Sequence, residues 1–245
     1  MDFTEIVPLP PSGRVFEQSL RPGLADAAPS GRVRMDAIAR WVQDMAYADI
    51  EDAGIEDQSA WVVRRMRIRV DRFPRFRERL HGLTFCSGYS RLWAERRTRF
   101  EGADGALIEV AGLWVHLDPQ TFRPVPLPES FDALYAPSAQ GRTVKARLRH
   151  PGPPEDAPRT PWHFRATDAD IADHVNNAAY WEPLEEQLAE AGDQPEGFDA
   201  EVEFRDPAQP GDAVLVRGDH ALWVTTPGGL VNASLAFRGM PAARP

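Results

Sequence analysis

Apolar side chains recur at a helical spacing over residues 35–54. Trp41 and Met45 lie on one face of this segment with other apolar residues, and polar residues occupy the opposite face. Asp36 is a residue type that caps helix N-termini, and Gly54 is the type that follows helix C-termini. The pattern therefore predicts an amphipathic helix between these two residues.

Beyond this helix, apolar and polar residues alternate as they do in half-buried strands. Met66, Ile68 and Val70 alternate with arginines in segment 61–70, which predicts a strand with one buried face. Three further strands are predicted in the first half, at 79–85, 92–100 and 106–117. The glycine-containing stretch 101–105 predicts a hairpin turn between the last two.

The same order of elements returns after a proline-dense stretch, residues 118–160. A short strand at 162–166 precedes a helix predicted over 177–191, which Gly192 ends. Four strands are then predicted, at 200–205, 213–218, 220–225 and 230–237. A helix followed by antiparallel strands therefore occurs twice.

The repeated order predicts an α+β protein built from a duplicated unit, since each helix must cover a sheet face. The expected parts are a first unit over residues 1–125, a proline-rich linker over 126–160 and a second unit over 161–245. One short element near Phe131–Tyr135 is expected within the linker.

Composition narrows the functional classes. Hydrophobic residues make up 42% and charged residues 27% of the chain, which is typical of a globular protein. The formal net charge of −9 argues against general nucleic-acid binding. Cys86 is the only cysteine, so neither an intrachain disulfide nor a cysteine-based metal cluster is expected. The sequence has no long apolar run and its start does not resemble a signal peptide, so no membrane span is expected. A cytoplasmic location is expected instead.

Residues with catalytic chemistry gather just before the second predicted helix. Asp168, Asp170, His174 and the pair Asn176–Asn177 lie within ten positions of one another. Backbone N–H groups at a helix N-terminus stabilise a developing oxyanion, and a histidine near carboxylates can act as a general base. These are the groups that attack of water on a thioester carbonyl requires.

Three other interpretations of this segment are open. Asp and Asn are common N-cap residues, although capping does not explain the whole His-Val-Asn-Asn run. Three aspartates and a histidine could also bind a hard cation, but no second ligand cluster accompanies them, so no metal or cofactor is expected. His174 could instead be a structural residue of the core.

The pattern Asp168-x-Asp170-x-x-x-His174-Val-Asn-Asn-x-x-Tyr180 resembles the signature of fatty acyl-ACP thioesterases. Landmarks of that family also occur in order in the first half: Trp41-Val-Gln43-Asp44, Trp61-Val-Val-Arg64, Arg72-Phe-Pro74, Arg96 to Phe100, Gly105, Trp114-Val-His-Leu-Asp118 and Arg123-Pro124. The similarity spans roughly residues 12 to 238. It implies two tandem hot-dog units, in each of which an antiparallel sheet wraps round a long helix.

The resemblance implies that Asp170, His174, Asn176 and Asn177 are the catalytic residues. Two positions depart from the family pattern. Ala172 replaces an asparagine. Pro207 stands at or beside the position of a strand glutamate that activates water in the family.

Asp173 and Asp206 are possible substitute carboxylates for the missing glutamate. Asp206 could serve only if a bulge turned it to the correct face of its strand. A modified mechanism is therefore expected, in which Asp170 orients His174 or acts as the base itself. Backbone N–H groups of residues 175–177 would bind the oxyanion.

The resemblance also implies an apolar tunnel for the acyl chain, shaped largely by the first half. Trp41, Met45, Trp93 and Trp114 are the candidate substrate-binding residues. The expected partner is an acyl carrier protein or a coenzyme A thioester. A monomer or a homodimer is equally compatible with a fused pair of units.

An arginine-rich run over residues 64–79 has two interpretations. It could dock an acidic carrier protein or the phosphates of coenzyme A. Alternation along strands also places such residues on a solvent face, where they pair with acids, and this interpretation is slightly favoured.

Two alternative functions stay open at this stage. The first is an acyl-binding protein that has lost hydrolysis, which Ala172 and Pro207 favour. The second is a hot-dog dehydratase, or a thioesterase that acts on acyl-CoA, polyketide or aryl thioesters, because a fold alone does not settle the chemistry.

Overall fold

The first predicted helix is confirmed as α1, Met35–Asp52, in a computed structural model that describes residues 2–55, 60–118, 120–192 and 195–238. Asp36 was predicted to be the N-cap of this helix. It is instead the second helical residue, because the helix begins at Met35 and Arg34 is the N-cap. The Asp36 carboxylate accepts hydrogen bonds from Arg34 and Arg40 instead. A carboxylate from the second half, Glu185, accepts the N–H of Met35 at 2.6 Å and thereby caps the helix.

Within the described residues, ten strands form one antiparallel sheet, in agreement with the predicted α+β class. They are β1 Phe16–Leu20, β2 Ala60–Arg72, β3 Leu80–Tyr89, β4 Trp93–Gly102, β5 Leu107–Leu117, β6 Arg159–Phe164, β7 Phe198–Phe204, β8 Gly211–Gly218, β9 Ala221–Thr225 and β10 Val231–Arg238. Their order is β1-β3-β4-β5-β2-β7-β10-β9-β8-β6. Five strands of the first half therefore stand beside five of the second, and β2 pairs with β7 at the junction.

The sheet buries an apolar face against the helices. Ile68 pairs with Ala200 and Met66 with Val202 across the junction, and all four side chains belong to the main core. The core continues into α1 through residues such as Ile38. Because side chains alternate along a strand, the arginines and glutamates between these positions point to the opposite face.

Charged residues of that opposite face are covered by the chain itself. Thr4 of the N-terminal segment donates its backbone N–H to Glu201, and the N–H groups of Arg149 and His150 donate to Glu203. Both glutamates are fully buried. The segment before β6 and the N-terminal residues thus close this face of the sheet by binding its carboxylates.

The second predicted helix starts later than its sequence pattern indicates. Residues 177–178 form a turn, Ala179–Trp181 forms a 3₁₀ turn, and α3 spans only Glu182–Glu190. Pro183 lies at the start of α3, where its missing N–H costs nothing. The apolar periodicity continues through the 3₁₀ turn and the α-helix alike. It therefore does not reveal where the 3₁₀ turn ends and α3 begins.

The proline-rich stretch 126–160 contains more structure than the short element that was expected. It includes α2, Glu129–Ala139, which packs against β3 and buries Phe131 and Tyr135. No helix among the described residues is long and apolar enough to cross a membrane.

Candidate active site

The segment from Asp168 to Asn176 is folded into a tight loop by its own backbone. The N–H of Asp170 donates to the carbonyl of His174, and the N–H of Asp173 donates to the carbonyl of Asp170, both at 3.0 Å. Asp173 takes a left-handed conformation with φ 59°, which an aspartate tolerates better than most residues. The Asn176 N–H closes the loop onto the Asp168 carbonyl at 2.8 Å.

Asp168 stabilises the start of this loop. Its side chain is buried and accepts hydrogen bonds from the backbone N–H and the guanidinium of Arg165. Arg165 in turn binds Glu182, the first residue of α3. This ion-paired group joins the strand before the loop to the helix after it.

Asp170 and Asn176 lie together in the loop. Asn176 Nδ2 donates to Asp170 Oδ2 at 2.9 Å, and the N–H of Ala172 donates to Asp170 Oδ1 at 2.9 Å. The carboxylate itself is exposed. An ionised carboxylate has about four acceptor sites, so Asp170 keeps free lone pairs on the solvent side of these two bonds.

Gln43 of α1 completes this arrangement, and sequence reasoning gave it no functional role. Its amide pairs with that of Asn176 through Nε2–Oδ1 at 3.1 Å and Nδ2–Oε1 at 3.3 Å. Asn176 Oδ1 also accepts the N–H of Ala178 at 2.8 Å. Both donors and both acceptor sites of Asn176 are therefore occupied, which makes it a residue that positions Asp170.

His174 and Asn177 have side chains without hydrogen-bond partners among the described residues. Both are half-buried, and the bond that joins His174 to Asp170 runs through the backbone only. Asp170 therefore does not orient the His174 ring through a hydrogen bond. A half-buried imidazole and amide with free polar atoms are available to a substrate.

The three backbone N–H groups expected to bind an oxyanion are not equivalent. Val175 N–H donates to the carbonyl of Ala208 at 2.9 Å, and that of Asn176 is used within the loop. The N–H of Asn177 has no acceptor in the part of the chain that the structure describes. Only this last group is free to bind a developing negative charge.

The two possible substitute carboxylates lie apart from these groups. Asp173 is exposed, and its side chain has no partner within the described ranges. β7 ends at Phe204 and pairs regularly with both neighbours, so Asp206 lies in the following loop and no bulge turns it. The carbonyl of Asp206 accepts from Asn232. Burial and the charge of Arg205 lower the pKa of Arg64, and the Asp206 charge offsets only part of this lowering.

An apolar cavity lies in the first half of the chain. It encloses about 480 Å³, including the space at its mouth, and is lined by Tyr47, Trp61, Trp114 and Phe131 among others. Tyr47 lies one turn after Gln43 on α1, and Gln43 binds Asn176, so the Tyr47 end of the cavity is the end nearest the loop. Burial, followed by the Asp170 charge, raises the pKa of Tyr47. Cavities with mostly apolar walls and a few polar groups are typical of sites for apolar ligands.

The four candidate substrate-binding residues have different surroundings. Trp114 lines the cavity. Met45 is buried against Gly82, and Trp41 packs on the Phe100 ring with centroids 6.0 Å apart. Trp93 donates its indole N–H to the carbonyl of Val144.

Tyr47 and Arg96 line the cavity as well, and sequence reasoning gave neither a role in binding. The signal for Tyr47 was available, because Gln43, Tyr47 and Ile50 recur at helical spacing along α1. Arg96 carried no such signal, since a buried arginine in an alternating strand pattern resembles its solvent-facing neighbours.

One group of described residues has the composition of a metal site. His150, Glu201 and Glu203 place their ligand atoms within 4.8 Å of one another on the covered face of the sheet. Arg149 and backbone N–H groups already bind these carboxylates. The hydrogen bonds account for the burial of this cluster without a cation.

Known proteins are similar to this chain over most of its length. The family model for the acyl-ACP thioesterase N-terminal domain matches residues 13–135, and the model for the C-terminal domain matches residues 153–222. An uncharacterized protein of Mycobacterium tuberculosis, Rv2001, is 28% identical over 213 residues, which cover 86% of this chain and 85% of the relative.

Solved structures show the same fold. A putative oleoyl thioesterase from Lactobacillus plantarum has a TM-score of 0.75 at 20% identity, over 96% of this chain and 100% of its own. A 12:0-ACP thioesterase from Umbellularia californica has a TM-score of 0.70 at 17% identity, over 92% and 98%. With two family models matched in order over most of its length, the chain belongs to the acyl-ACP thioesterase family and is a hydrolase of fatty acyl thioesters.

Proposed function

We propose that Asp170 is the general base of this hydrolysis and that the acyl group is delivered by an acyl carrier protein. The observation that carries the proposal is the Asp170 carboxylate, which is held by Asn176 and the Ala172 N–H and has free lone pairs. Asn176 is in turn bound by Gln43, one turn before the cavity residue Tyr47 on α1. A base that is held in one orientation contributes more to the rate than a mobile one.

The proposed reaction balances without a cofactor. Asp170 takes a proton from a water molecule, and the water oxygen forms a bond to the thioester carbonyl carbon. The tetrahedral oxyanion is bound by the free N–H of Asn177, with the half-buried His174 ring as a second donor. The C–S bond then breaks, the protonated Asp170 returns its proton to the leaving thiolate, and the free fatty acid and the carrier thiol are released.

The two departures from the family pattern fit this version of the mechanism. At position 172 the chain uses a backbone N–H to hold Asp170, and an alanine supplies that as well as any residue. The segment after Pro207 supports the loop, because the carbonyl of Ala208 accepts from Val175 and its N–H donates to the Tyr180 hydroxyl. A carboxylate at 207 is therefore dispensable once Asp170 acts as the base.

We also infer that the ten strands represent two tandem hot-dog units. Each half contributes five adjacent strands, and the order in the first half is mirrored in the second about the β2–β7 junction. The helix α1 lies beside the apolar face in the first half and α3 in the second. A cytoplasmic location remains part of this proposal.

The carrier is assigned from charge. The strand portion of the arginine-rich run pairs internally, as Arg67 with Asp199 and Arg69 with Asp71 show. The portion over residues 72–79 leaves four arginines exposed: Arg72, Arg75, Arg77 and Arg79. An exposed basic segment on a chain of net charge −9 suits an acidic carrier protein.

The test is thioester hydrolysis by purified protein with matched acyl-ACP and acyl-CoA panels, measured as released thiol. We expect Asp170→Asn to lose about a hundredfold or more in kcat, the contribution of a general base. Asp173→Asn and Asp206→Asn are matched controls that should retain activity and the thermal midpoint of the wild type. An active Asp170→Asn variant would contradict the assignment of the base.

The remaining outcomes separate the other functions. Wild-type protein that binds acyl chains but releases no thiol from any substrate would leave an acyl-binding protein. Hydrolysis of acyl-CoA in preference to acyl-ACP at low ionic strength would overturn the assigned carrier, because charge steering is strongest there.

A further inference from the structure

The residues that line the apolar cavity differ in their exposure from one end to the other. Tyr47 is 54% exposed, and Ile50 and Trp61 are half-buried. Cys86 and Tyr135 also line the cavity, but they are only 2% and 0% exposed. The mouth of the cavity therefore lies at Tyr47, the end nearest the loop, and its closed end lies at Cys86 and Tyr135.

The order of the strands gives the same direction independently. The floor of the cavity consists of residues from four adjacent strands: Trp61 of β2, Trp114 of β5, Ala94 of β4 and Cys86 of β3. β7 lies on the other side of β2, and just after its end the carbonyl of Ala208 accepts from Val175 of the loop. The floor therefore runs from the strand nearest the loop to a strand three places farther away.

Helix α2 covers the far end of this floor. The edge strand β1 pairs with residues 80–84 of β3, short of Cys86. α2 packs against β3, and its Tyr135 belongs to the same buried apolar cluster as Cys86. The Tyr135 hydroxyl donates at 2.9 Å to Asp49, a fully buried carboxylate that also binds Arg96. Moving the ring would leave part of a buried carboxylate without its donor, which costs free energy.

We propose that this closed end limits the substrate to acyl groups of about 12 to 14 carbons, and that Tyr135 is the residue that sets the limit. The proposal rests on the proposed function, because it places the thioester at Asp170. Tyr135 is contributed by α2 of the proline-rich stretch.

The span of the floor gives a lower bound for the chain. Neighbouring strands lie about 4.8 Å apart, so the three steps from β2 to β3 span about 14 Å. An extended hydrocarbon chain advances about 1.25 Å per carbon, the projection of a bond of about 1.5 Å at a tetrahedral angle. At least about 11 carbons are therefore needed to cross the floor, and a shorter chain leaves the closed end unfilled.

The volume of the cavity gives an upper bound. The cavity encloses about 480 Å³, including the space at its mouth. A methylene group needs nearly the volume of a water molecule in the liquid, about 30 Å³, so at most about 16 carbons fit. A chain of 18 carbons enters fully only if Tyr135 or its neighbours move.

The test compares even-numbered saturated acyl groups of 8 to 18 carbons on one carrier protein, with released thiol as the readout. Each methylene that the cavity buries should raise kcat/KM about fourfold, so the 12-carbon chain should exceed the 8-carbon chain by at least about tenfold. The 18-carbon chain should be at least about tenfold poorer than the 14-carbon chain, because its extra methylenes do not fit. A maximum at 8 or 18 carbons, or a flat profile, would overturn the proposal.

Two substitutions should move the maximum in opposite directions. Tyr135→Ala opens the closed end and should shift the maximum to 16 or 18 carbons. Cys86→Met fills the closed end and should shift the maximum to 10 carbons or fewer, which keeps the test valid if Tyr135→Ala does not fold. Tyr135→Phe is the matched control, because it loses the bond to Asp49 but keeps the ring, and it should retain the wild-type maximum.

The outcomes for the variants decide the role of Tyr135. An unchanged maximum in Cys86→Met and in folded Tyr135→Ala would refute the closed end, and an equal shift in Tyr135→Phe and Tyr135→Ala would refute the ring as the limit. If wild-type protein hydrolyses none of the thioesters, the proposed function fails by itself. The cavity is then tested by calorimetric binding of the free fatty acids. An affinity that peaks at 12 or 14 carbons would support the closed end, and one that rises up to 18 carbons would refute it.

Discussion

Replacement of Gln43 by leucine tests whether the first half of the chain organises the catalytic loop in the second. Gln43→Leu keeps the size of the side chain and removes the two amide hydrogen bonds to Asn176, at 3.1 and 3.3 Å. Asn176 then keeps its bonds to Asp170 and to the Ala178 N–H, but half of what orients its amide is lost.

The magnitude follows from those two bonds. A neutral hydrogen bond in a partly buried site contributes about 1 kcal/mol, so the pair contributes about 2 kcal/mol to the orientation of Asn176. If all of it is expressed in the transition state, kcat/KM falls by roughly 30-fold, at about 1.4 kcal/mol per factor of ten. The loss should lie mainly in kcat, because the acyl chain binds to other residues of the cavity.

The assay is steady-state hydrolysis of one acyl thioester by the wild type, Gln43→Leu and Glu51→Leu. Glu51 is an exposed residue of the same helix, so its variant controls for the added leucine. Wild-type kcat for Gln43→Leu would refute the positioning role. An equal loss in both variants would trace the effect to α1 as a whole.

Three further outcomes are expected. Burial would raise the pKa of Glu201, but hydrogen bonds from His150 and Thr4 outweigh it and lower the pKa from 4.5 to about 2. Because the folded pKa is depressed, the stabilisation of about 3 kcal/mol is present above pH 4.5 and lost as the pH falls towards 2. Urea unfolding should therefore show Glu201→Gln less stable by about that amount at pH 7 and almost equal to the wild type at pH 2. Glu185→Ala leaves Arg32 and the α1 N-terminus without their acceptor, and should cost about 3–5 kcal/mol in the same assay. Asp173→Gly replaces a residue at a left-handed φ of 59° by one that adopts it without strain. The free energy of unfolding should rise by up to about 1 kcal/mol, which a slightly higher thermal midpoint would show, and activity should be retained.

Sequence reasoning identified the elements whose signals are local. The apolar stripe of α1 and the alternation of β2 depend on neighbours three, four or two residues away, so both were predicted close to their observed bounds. The start of α3 was predicted too early, because the apolar spacing runs through a 3₁₀ turn and the α-helix alike.

The residues of the candidate site also fall into those that the sequence identified and those that only the structure revealed. The Asp170-to-Asn177 motif is contiguous, and its resemblance to a family signature is visible in the sequence alone. Gln43 lies 133 positions from its partner Asn176, and no periodicity connects the two. The choice of Asn177 as the free N–H likewise depends on which backbone groups Ala208 and Asp168 engage.

The sequence by itself determined the α+β class, the two helix-and-strand halves, the family and the loop that we propose to be catalytic, because each depends on local spacing or on a contiguous motif. Only the tertiary structure decided that α1 of the first half holds Asn176 of the second, that Glu185 caps α1, and that Arg96 lines the apolar cavity. These depend on which distant side chains meet once the sheet is assembled. A linear pattern contains no information about such contacts, since burial and pairing are properties of the packed chain.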